Sequence, residues 1–240
     1  MTNILITGGS SGLGRAMVEK LASVEDNHVI FTYCHNASAA KDLENKFPNT
    51  QAFPVDYNDS ESVNHFVNEI SNLNIDILIN NAYSGTALGT HFHKTDISDF
   101  TTAFNSNVIP YIKITQACLT HMRKQKFGKI VNIITSYVID VPPAGFSVYT
   151  ATKAYIRQLS KSICKEYGRY NITSNCILPD YMPTAFGKVE DFQLEQMKAI
   201  HPLKRLLQPE EVADVVAHLI QMSQQVNGIE LPINAAQNIM

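Results

Sequence analysis

Short apolar runs rich in β-branched residues alternate with longer amphipathic segments along the chain. Such apolar runs are typical of strands buried on both faces of a parallel sheet, and the amphipathic segments are typical of helices that cover the sheet. The pattern predicts strands at residues 3–7, 28–33, 51–55, 75–80, 129–135, 171–177 and 228–233. It predicts helices at residues 12–24, 37–46, 60–72, 98–124, 147–168 and 209–222.

This alternation of strand and helix predicts one α/β domain over residues 1–240. With right-handed crossovers it gives a doubly wound, Rossmann-type, seven-stranded parallel sheet with helices on both faces. The ligand crevice of such a sheet lies beyond the carboxyl ends of the strands. The least regular segment, residues 180–204, follows one of these ends and is predicted to be a substrate lid.

Composition and charge narrow the classes of partner. The 240 residues include 19 basic and 22 acidic ones, for a formal net charge of −3. No basic run suggests a nucleic-acid arm or a membrane-surface patch, so a small molecule is the expected partner. The chain has neither a leader pattern nor an apolar run of membrane-spanning length, and we expect a cytoplasmic protein. Reduced thiols and no metal site are expected, because no Cys-x-x-Cys pair is formed by Cys34, Cys118, Cys164 and Cys176.

A glycine-rich turn joins the first predicted strand to the first helix. Its glycine spacing is wider than the common G-x-G-x-x-G fingerprint, but the preceding strand and following helix favour a phosphate site over an ordinary turn. Backbone N–H groups and the positive helix end would bind a pyrophosphate there, and glycine is needed where a Cβ would block its approach. The predicted contacts are Gly8, Ser10, Ser11, Gly12, Leu13 and Gly14.

The end of the second strand bears on the choice of dinucleotide. An acidic side chain at this place would bind an adenosine ribose and repel a 2′-phosphate, but Tyr33-Cys34-His35-Asn36 contains none. Its absence favours NADP over NAD, with Arg15, His35 and Asn36 as donors to the additional phosphate. Tyr33 is included among the predicted cofactor contacts.

Polar residues also follow the third and fourth strands. Asp56 could accept a hydrogen bond from the adenine amino group or could cap the next helix. Asn80 and Ala82 could line the cofactor site, whereas a buried asparagine could equally satisfy backbone groups of neighbouring strands. The residues alone leave both alternatives open.

Tyr149 and Lys153 are the candidate reacting groups. Four residues apart on a predicted helix, they lie on one face of it. A phenol with a reference pKa of about 10 exchanges protons poorly at neutral pH until a nearby ammonium favours its phenolate. The strand that precedes this helix ends in the hydroxyls Thr135 and Ser136, which would face the same crevice.

These motifs together closely resemble the short-chain dehydrogenase/reductase family, in particular its single-domain type similar to 3-oxoacyl-carrier-protein reductases. The resemblance covers essentially the whole chain, with motifs at residues 7–14, 56, 80–82, 107, 135–136, 149–153, 179–184 and 202–213. It implies that Tyr149 is a general acid or base and that Lys153 lowers its pKa and holds the nicotinamide ribose. It further implies that Asn107 orders a proton-relay water, that a homodimer or homotetramer forms, and that the cofactor contacts include Pro179, Met182 and Thr184.

The hydroxyl that would bind the substrate carbonyl has two candidates. The spacing frequent in the family, thirteen residues before Tyr149, selects Ser136, whereas counting along the strand from Gly128 selects Thr135. Adjacent strand residues face opposite ways, so only one of them can point into the crevice.

Four features depart from the family pattern. Tyr83 and Asp180 stand where glycine is usual, Ala235-Ala236 replace a usual glycine pair, and Pro142-Pro143 stiffen the loop before Tyr149. None of them removes a candidate catalytic group, but each could reshape the substrate pocket.

The leading hypothesis is an NADP(H)-dependent oxidoreductase that reduces a ketone or aldehyde, or oxidises the alcohol. An NADP-binding sensor is the alternative, and a sugar epimerase or dehydratase is disfavoured because those relatives carry a larger C-terminal domain. The predicted pocket residues indicate a partly hydrophobic substrate, which could be a carrier-bound β-keto thioester or a specialised-metabolite ketone. They are Tyr83, Tyr137, Phe146, Tyr181 and Phe186.

Overall fold

The computed structural model describes residues 1–87, 89–187 and 189–237. Its strands are β1 (Thr2–Ile6), β2 (Asn27–Tyr33), β3 (Thr50–Pro54), β4 (Ile77–Asn80), β5 (Gly128–Ile133), β6 (Ile172–Pro179) and β7 (Glu230–Ile233). They form a parallel sheet in the order β3-β2-β1-β4-β5-β6-β7. This confirms the predicted doubly wound sheet, and the chain reverses its direction of winding between β1 and β4, where a crevice forms.

Helices cover both faces of this sheet. They are α1 (Gly12–Ala22), α2 (Ala37–Lys46), α3 (Ser60–Ile70), α4 (Ile97–Ala103), α5 (Ile109–Gln125), α6 (Ser147–Tyr167), α7 (Asp191–Ile200) and α8 (Pro209–Leu219). Alternate residues of β1 face opposite cores: Ile4 packs with Met17 of α1 and Val216 of α8, whereas Leu5 packs with residues of α3 and α5. Burial on both faces explains why the strands are continuous apolar runs.

The long helix predicted at residues 98–124 is divided in the structure. A π-helical turn at Phe104–Val108 separates α4 from α5. Pro110, in the first turn of α5, has no N–H with which to continue the regular hydrogen-bond ladder. The predicted helical segment is therefore confirmed, with an irregular π-helical turn inside it that contains Asn107.

The segment predicted to be irregular, residues 180–204, contains helix α7. Glu190 and Gln193 form a reciprocal capping box at its start, which is a sequence signal of a helix beginning that the prediction missed. Residue 188 of the predicted lid lies outside the described residues. Among the helices that the structure describes, none combines the length and the apolar character that a membrane span needs.

Candidate active site

The glycine-rich turn has a shape that side chains would obstruct. Gly8 and Gly12 have φ values of +69° and +50°, in the left-handed region that favours glycine. A Cβ added to Gly14 would lie 1.9 Å from the Gly8 carbonyl oxygen, so the turn and the first turn of α1 pack directly on each other. Ser11 occupies the N-cap of α1 without a side-chain capping hydrogen bond. The turn therefore presents backbone and the positive end of α1 to the crevice.

Residues outside the predicted set hold this turn in place. The Gly8 N–H donates to Thr32 Oγ1 at 2.9 Å, and the Asn81 amide donates to the carbonyls of Thr7 and Gly8 at 2.9 and 3.1 Å. The hydroxyl of Thr7 in turn accepts from the Asn81 N–H at 2.9 Å. The expectation that an asparagine at the end of β4 satisfies backbone groups of a neighbouring strand is met by Asn81. Thr7 has no predicted role of its own, and the signal that could have found it is its position at the end of β1, next to β4.

Two other predicted contacts in the turn are largely enclosed. Ser10 is buried, and the side chain of Leu13 belongs to the core between the sheet and helices α1 and α8. Leu13 can therefore offer a ligand only its backbone.

The predicted 2′-phosphate donors lie around the end of β2 and the start of α1. Arg15 makes an ion pair with Glu19, with 2.9 Å between Nε and Oε1, and its side chain is 40% exposed. Asn36 is the N-cap of α2, where its side-chain oxygen accepts from the Ala39 N–H at 3.1 Å. The His35 ring lies 3.5 Å from the Cys34 sulfur. Arg15 and His35 thus remain the candidate anion-binding side chains, while the oxygen of Asn36 has a structural role.

Asp56 does not cap the following helix, so the capping alternative is wrong. The N-cap of α3 is Asp59, which accepts from the Glu61 N–H at 2.9 Å. Asp56 instead accepts from the N–H and the side-chain amide of Asn58, at 2.8 and 3.1 Å. Burial, and then the charge of Asp56, raise the pKa of the Cys34 thiol, which places Asp56 beside the end of β2.

Asn80 belongs to a buried polar network between strands. Its amide donates to Asn132 Oδ1 at 3.0 Å, and Asn132 donates to Ser160 and Ser174 at 3.1 and 3.2 Å. The network links β4, β5, β6 and α6, so the Asn80 side chain is structural. Its neighbour Ala82 is tied to the glycine turn because its N–H donates to Thr7 Oγ1 at 3.0 Å.

Tyr149 and Lys153 lie together on the inner face of α6. They are only 9% and 4% exposed, and Lys153 Nζ lies 5.9 Å from the Tyr149 ring centroid and donates to the Ile133 carbonyl at 2.8 Å. Burial lowers the pKa of Lys153 to about 8. Burial also raises the pKa of Tyr149 above its usual value, a change that the hydrogen bond with Thr135 only partly opposes. In this state Tyr149 keeps its proton at neutral pH, as a general acid must, although its pKa is raised by burial and not lowered as the resemblance implies.

The two candidate hydroxyls face different partners. The Thr135 hydroxyl lies close enough to that of Tyr149 to act against the rise in its pKa, and Thr135 Oγ1 accepts from the Tyr137 N–H at 3.4 Å. Ser136 is fully buried and its hydroxyl donates to Asp180 Oδ1 at 3.5 Å. The structure therefore brings Thr135 to Tyr149 and turns Ser136 towards the end of β6.

Asn107 lies in the π-helical turn, close to the reacting pair. Its side-chain oxygen accepts from the Ser84 N–H at 2.7 Å, and its amide donates to the Ser84 and Ala103 carbonyls at 3.1 and 3.0 Å. With Lys153 it lines a cavity of about 10 Å³. A polar cavity of this size is near the minimum for one water molecule.

Aromatic side chains surround Tyr149. Its ring centroid lies 5.0 Å from that of Tyr83, 5.9 Å from Phe186 and 6.3 Å from Phe146. Tyr137 joins the group through an edge contact with Phe146 at 5.4 Å. Burial, followed by the charges of Asp180 and Tyr181, raises the pKa of Tyr137 to about 12. The structure thus joins four of the five predicted substrate residues to Tyr149 through ring contacts, and the fifth, Tyr181, lies near Tyr137.

The segment that follows β6 crosses the glycine turn. Pro179 ends β6, Met182 packs against the core that contains α1, and the Thr184 N–H donates to the Met182 carbonyl at 2.8 Å. A Cβ added to Gly12 would lie 3.5 Å from the Cβ of Thr184. Of the predicted cofactor contacts on this segment, Thr184 therefore lies beside the predicted phosphate site.

Within the described residues, no group of three or more His, Cys, Asp or Glu side chains could hold a metal ion.

Comparison with known proteins gives matches to one family over most of the chain. The sequence profile described as short chain dehydrogenase matches residues 2–194. The chain is 34% identical over 238 residues to the 3-oxoacyl-[acyl-carrier-protein] reductase FabG of Aquifex aeolicus, covering 96% of this chain and 94% of that protein. It is 30% identical to the FabG of Vibrio harveyi, covering 90% and 88% of the two chains.

A crystal structure of a short chain dehydrogenase from Burkholderia cenocepacia, in complex with NADP, superposes with a TM-score of 0.87. It is 25% identical to this chain and covers 99% of it, and the alignment covers 98% of the Burkholderia chain. The chain belongs to the short-chain dehydrogenase/reductase family and is an oxidoreductase of that family.

Proposed function

We propose that this protein is an NADPH-dependent reductase of a ketone or aldehyde in which Tyr149 is the general acid. The observation that carries the proposal is the buried group of Tyr149, Lys153 and Thr135. A protonated phenol, an ammonium and a hydroxyl lie together at the carboxyl edge of the sheet, beneath a wall of aromatic rings.

The glycine turn fits a dinucleotide. Gly14 lets the turn pack directly on the first turn of α1, and Gly8 and Gly12 take the left-handed backbone by which the turn presents its backbone to the crevice, next to the positive end of α1. The turn would bind the pyrophosphate. Asp56 would bind the adenine, and Lys153 would bind the nicotinamide ribose. NADP is proposed in preference to NAD because β2 ends without a carboxylate and Arg15 and His35 lie nearby.

When bound, the cofactor supplies a hydride to the carbonyl carbon. Tyr149 donates its proton to the carbonyl oxygen, and the Thr135 hydroxyl holds that oxygen by a hydrogen bond. The ammonium of Lys153 stabilises the phenolate that Tyr149 becomes. Asn107 and a water in the small cavity provide the route by which Tyr149 regains a proton.

The test is consumption of NADPH with a panel of carbonyl compounds that includes ethyl acetoacetate and acetoacetyl-CoA. We expect oxidation of NADPH only when a carbonyl compound is present. Tyr149→Phe should lower the rate by about 100-fold or more and should leave NADPH binding, measured by its fluorescence, intact. Tyr155→Phe is the matched control, since Tyr155 lies on the same helix and is 46% exposed.

Full activity of Tyr149→Phe would refute the role of this residue. Binding of NADPH without turnover across the panel would favour the alternative, an NADP-binding sensor. The two relatives named as 3-oxoacyl-[acyl-carrier-protein] reductases support a carrier-bound β-keto thioester as one candidate substrate. The homodimer or homotetramer, the cytoplasmic location and the single domain with a lid stay predictions.

A further inference from the structure

Asp180 adds a carboxylate to the candidate active site. It is the first residue after β6, and its N–H donates to the Ile233 carbonyl at the end of β7 at 3.0 Å. Because β5 and β6 are neighbours in the sheet, the residues that follow them meet at its carboxyl edge. There the Asp180 carboxylate accepts from the Ser136 hydroxyl at 3.5 Å, and Ser136 directly follows Thr135, the partner of Tyr149.

The charge of Asp180 is poorly compensated. Among the described residues, Ser136 is the one side chain that donates a hydrogen bond to the Asp180 carboxylate, and its distance of 3.5 Å is long for a hydrogen bond. The ion pairs in the described part of the chain involve other carboxylates. Burial is the main cause that raises the pKa of Asp180, and the charge of Asp140 raises it further. The Tyr181 N–H, His201 and Ser136 act in the opposite direction. A cation beside Asp180 would offset the free-energy cost of holding this carboxylate away from water.

The surfaces nearest to Asp180 also suit a cation. Tyr137 lies close enough for the charge of Asp180 to raise its pKa, and the ring of Tyr137 contacts Phe146, which contacts Tyr149. The faces of such rings attract ammonium groups, particularly where water is excluded. The residue that contacts the Asp180 carboxylate, Ser136, directly follows Thr135, which lies beside the reacting phenol. This arrangement matches a ligand that has an ammonium and a carbonyl close together.

We propose that Asp180 makes this site select carbonyl compounds that carry a protonated amine close to the carbonyl group. The ammonium would donate to the Asp180 carboxylate and lie against Tyr137, while the carbonyl oxygen lies at Thr135 and Tyr149. This inference rests on the proposed function, since it assumes that the carbonyl binds at Tyr149.

Two ketones of nearly the same shape test the inference: 1-(dimethylamino)propan-2-one, which is cationic, and 4-methylpentan-2-one, which is neutral. Their binding to the protein with NADP⁺ is measured by titration calorimetry, because the oxidised cofactor cannot reduce them. We expect the cationic ketone to bind at least about tenfold more tightly, which is the effect of one charge-assisted hydrogen bond. Asp180→Asn should remove this preference and Asp180→Glu should retain part of it.

Asp26→Asn is the control for net charge. Asp26 is exposed and lies just before β2, at the opposite edge of the sheet, so this variant should keep the preference. Thermal melting checks that each variant is folded. Equal binding of the two ketones, no binding of the cationic one, or an unchanged preference in Asp180→Asn would overturn the inference.

The same ketones separate this inference from the proposed function. Reduction of both ketones by NADPH at equal efficiency would leave the reductase proposal standing and would remove the role of Asp180. Selective binding of the cationic ketone without reduction of any carbonyl compound would leave the role of Asp180 in binding standing and would remove the reductase proposal.

Discussion

The ring of Tyr83 lies edge-on to that of Tyr149, with centroids 5.0 Å apart and an angle of 73° between the ring planes. Lys153 Nζ lies 5.5 Å from the Tyr83 ring centroid, and Thr152 lies close enough to Tyr83 to act against the rise in its pKa. Burial raises the pKa of Tyr83 to about 12, so it is a neutral ring that helps to cover the ammonium. If Lys153 binds the nicotinamide ribose as proposed, the ribose hydroxyl must therefore come close to the Tyr83 ring.

Tyr83→Ala should bind NADPH with a higher association rate than the wild type, because Lys153 is then less covered. The substitution also removes the contacts with Tyr149 and Phe186, and we expect a loss of about 1–3 kcal/mol in the free energy of unfolding. Stopped-flow fluorescence of NADPH and urea unfolding measure the two effects. Tyr83→Phe keeps the ring and should associate like the wild type; an equal rate in all three proteins would contradict a covering role.

The pKa of Lys153 predicts how activity depends on pH. Burial lowers it from 10.5 to about 8, so the ammonium that stabilises the Tyr149 phenolate is lost as the pH rises through about 8. We expect kcat/KM for carbonyl reduction to fall above that pH. Lys153→Arg should move the fall to higher pH, since a guanidinium stays charged. A profile that is flat through pH 8 to 10 in the wild type would contradict the assignment.

The same shift has a consequence for stability. Between pH values of about 8 and 10.5, Lys153 is more protonated in the unfolded chain than in the folded one. The contribution of Lys153 to the free energy of unfolding therefore increases as the pH rises through this range. Lys153→Met removes the titration. The free energy of unfolding of the wild type should therefore rise relative to that of Lys153→Met across this range.

Much of the fold could be predicted from the sequence because strands buried on both faces leave a continuous apolar pattern. The pattern failed where local hydrogen bonding decides the structure. It did not show the π-helical turn that places Asn107, and it missed α7, whose start is marked by the capping box of Glu190 and Gln193.

The site was predictable by its motifs but not by its contacts. The spacing of Tyr149 and Lys153 places them on one helical face, yet it cannot give the burial that holds the phenol protonated. Likewise, two asparagines of one motif have different tasks, since Asn80 serves a network between strands and Asn81 holds the glycine turn. Such assignments depend on which side chains meet across the sheet.

The contacts of Thr135 and Ser136 predict different effects of their removal. Thr135→Val removes the hydroxyl beside Tyr149, and we expect kcat to fall by about 10- to 100-fold. Ser136→Ala removes a donor to Asp180 and should act mainly on KM. Steady-state kinetics on one ketone separates the two parameters. A larger loss of kcat in Ser136→Ala would assign the carbonyl contact to Ser136, as the spacing frequent in the family suggests.

Ala235 and Ala236, just after β7, predict a gain of stability. Both have left-handed backbone, with φ values of 50° and 61°, which is unfavourable for a residue with a Cβ by about 1–2 kcal/mol. Ala235→Gly and Ala236→Gly relieve this strain but increase the entropy of the unfolded chain, so each should raise the free energy of unfolding by up to about 1 kcal/mol. Ala154→Gly, within helix α6, should lower it by about 0.5–1 kcal/mol. Urea unfolding measures all three variants, and destabilisation by glycine at 235 and 236 of the same size as at 154 would show that the left-handed backbone is not strained.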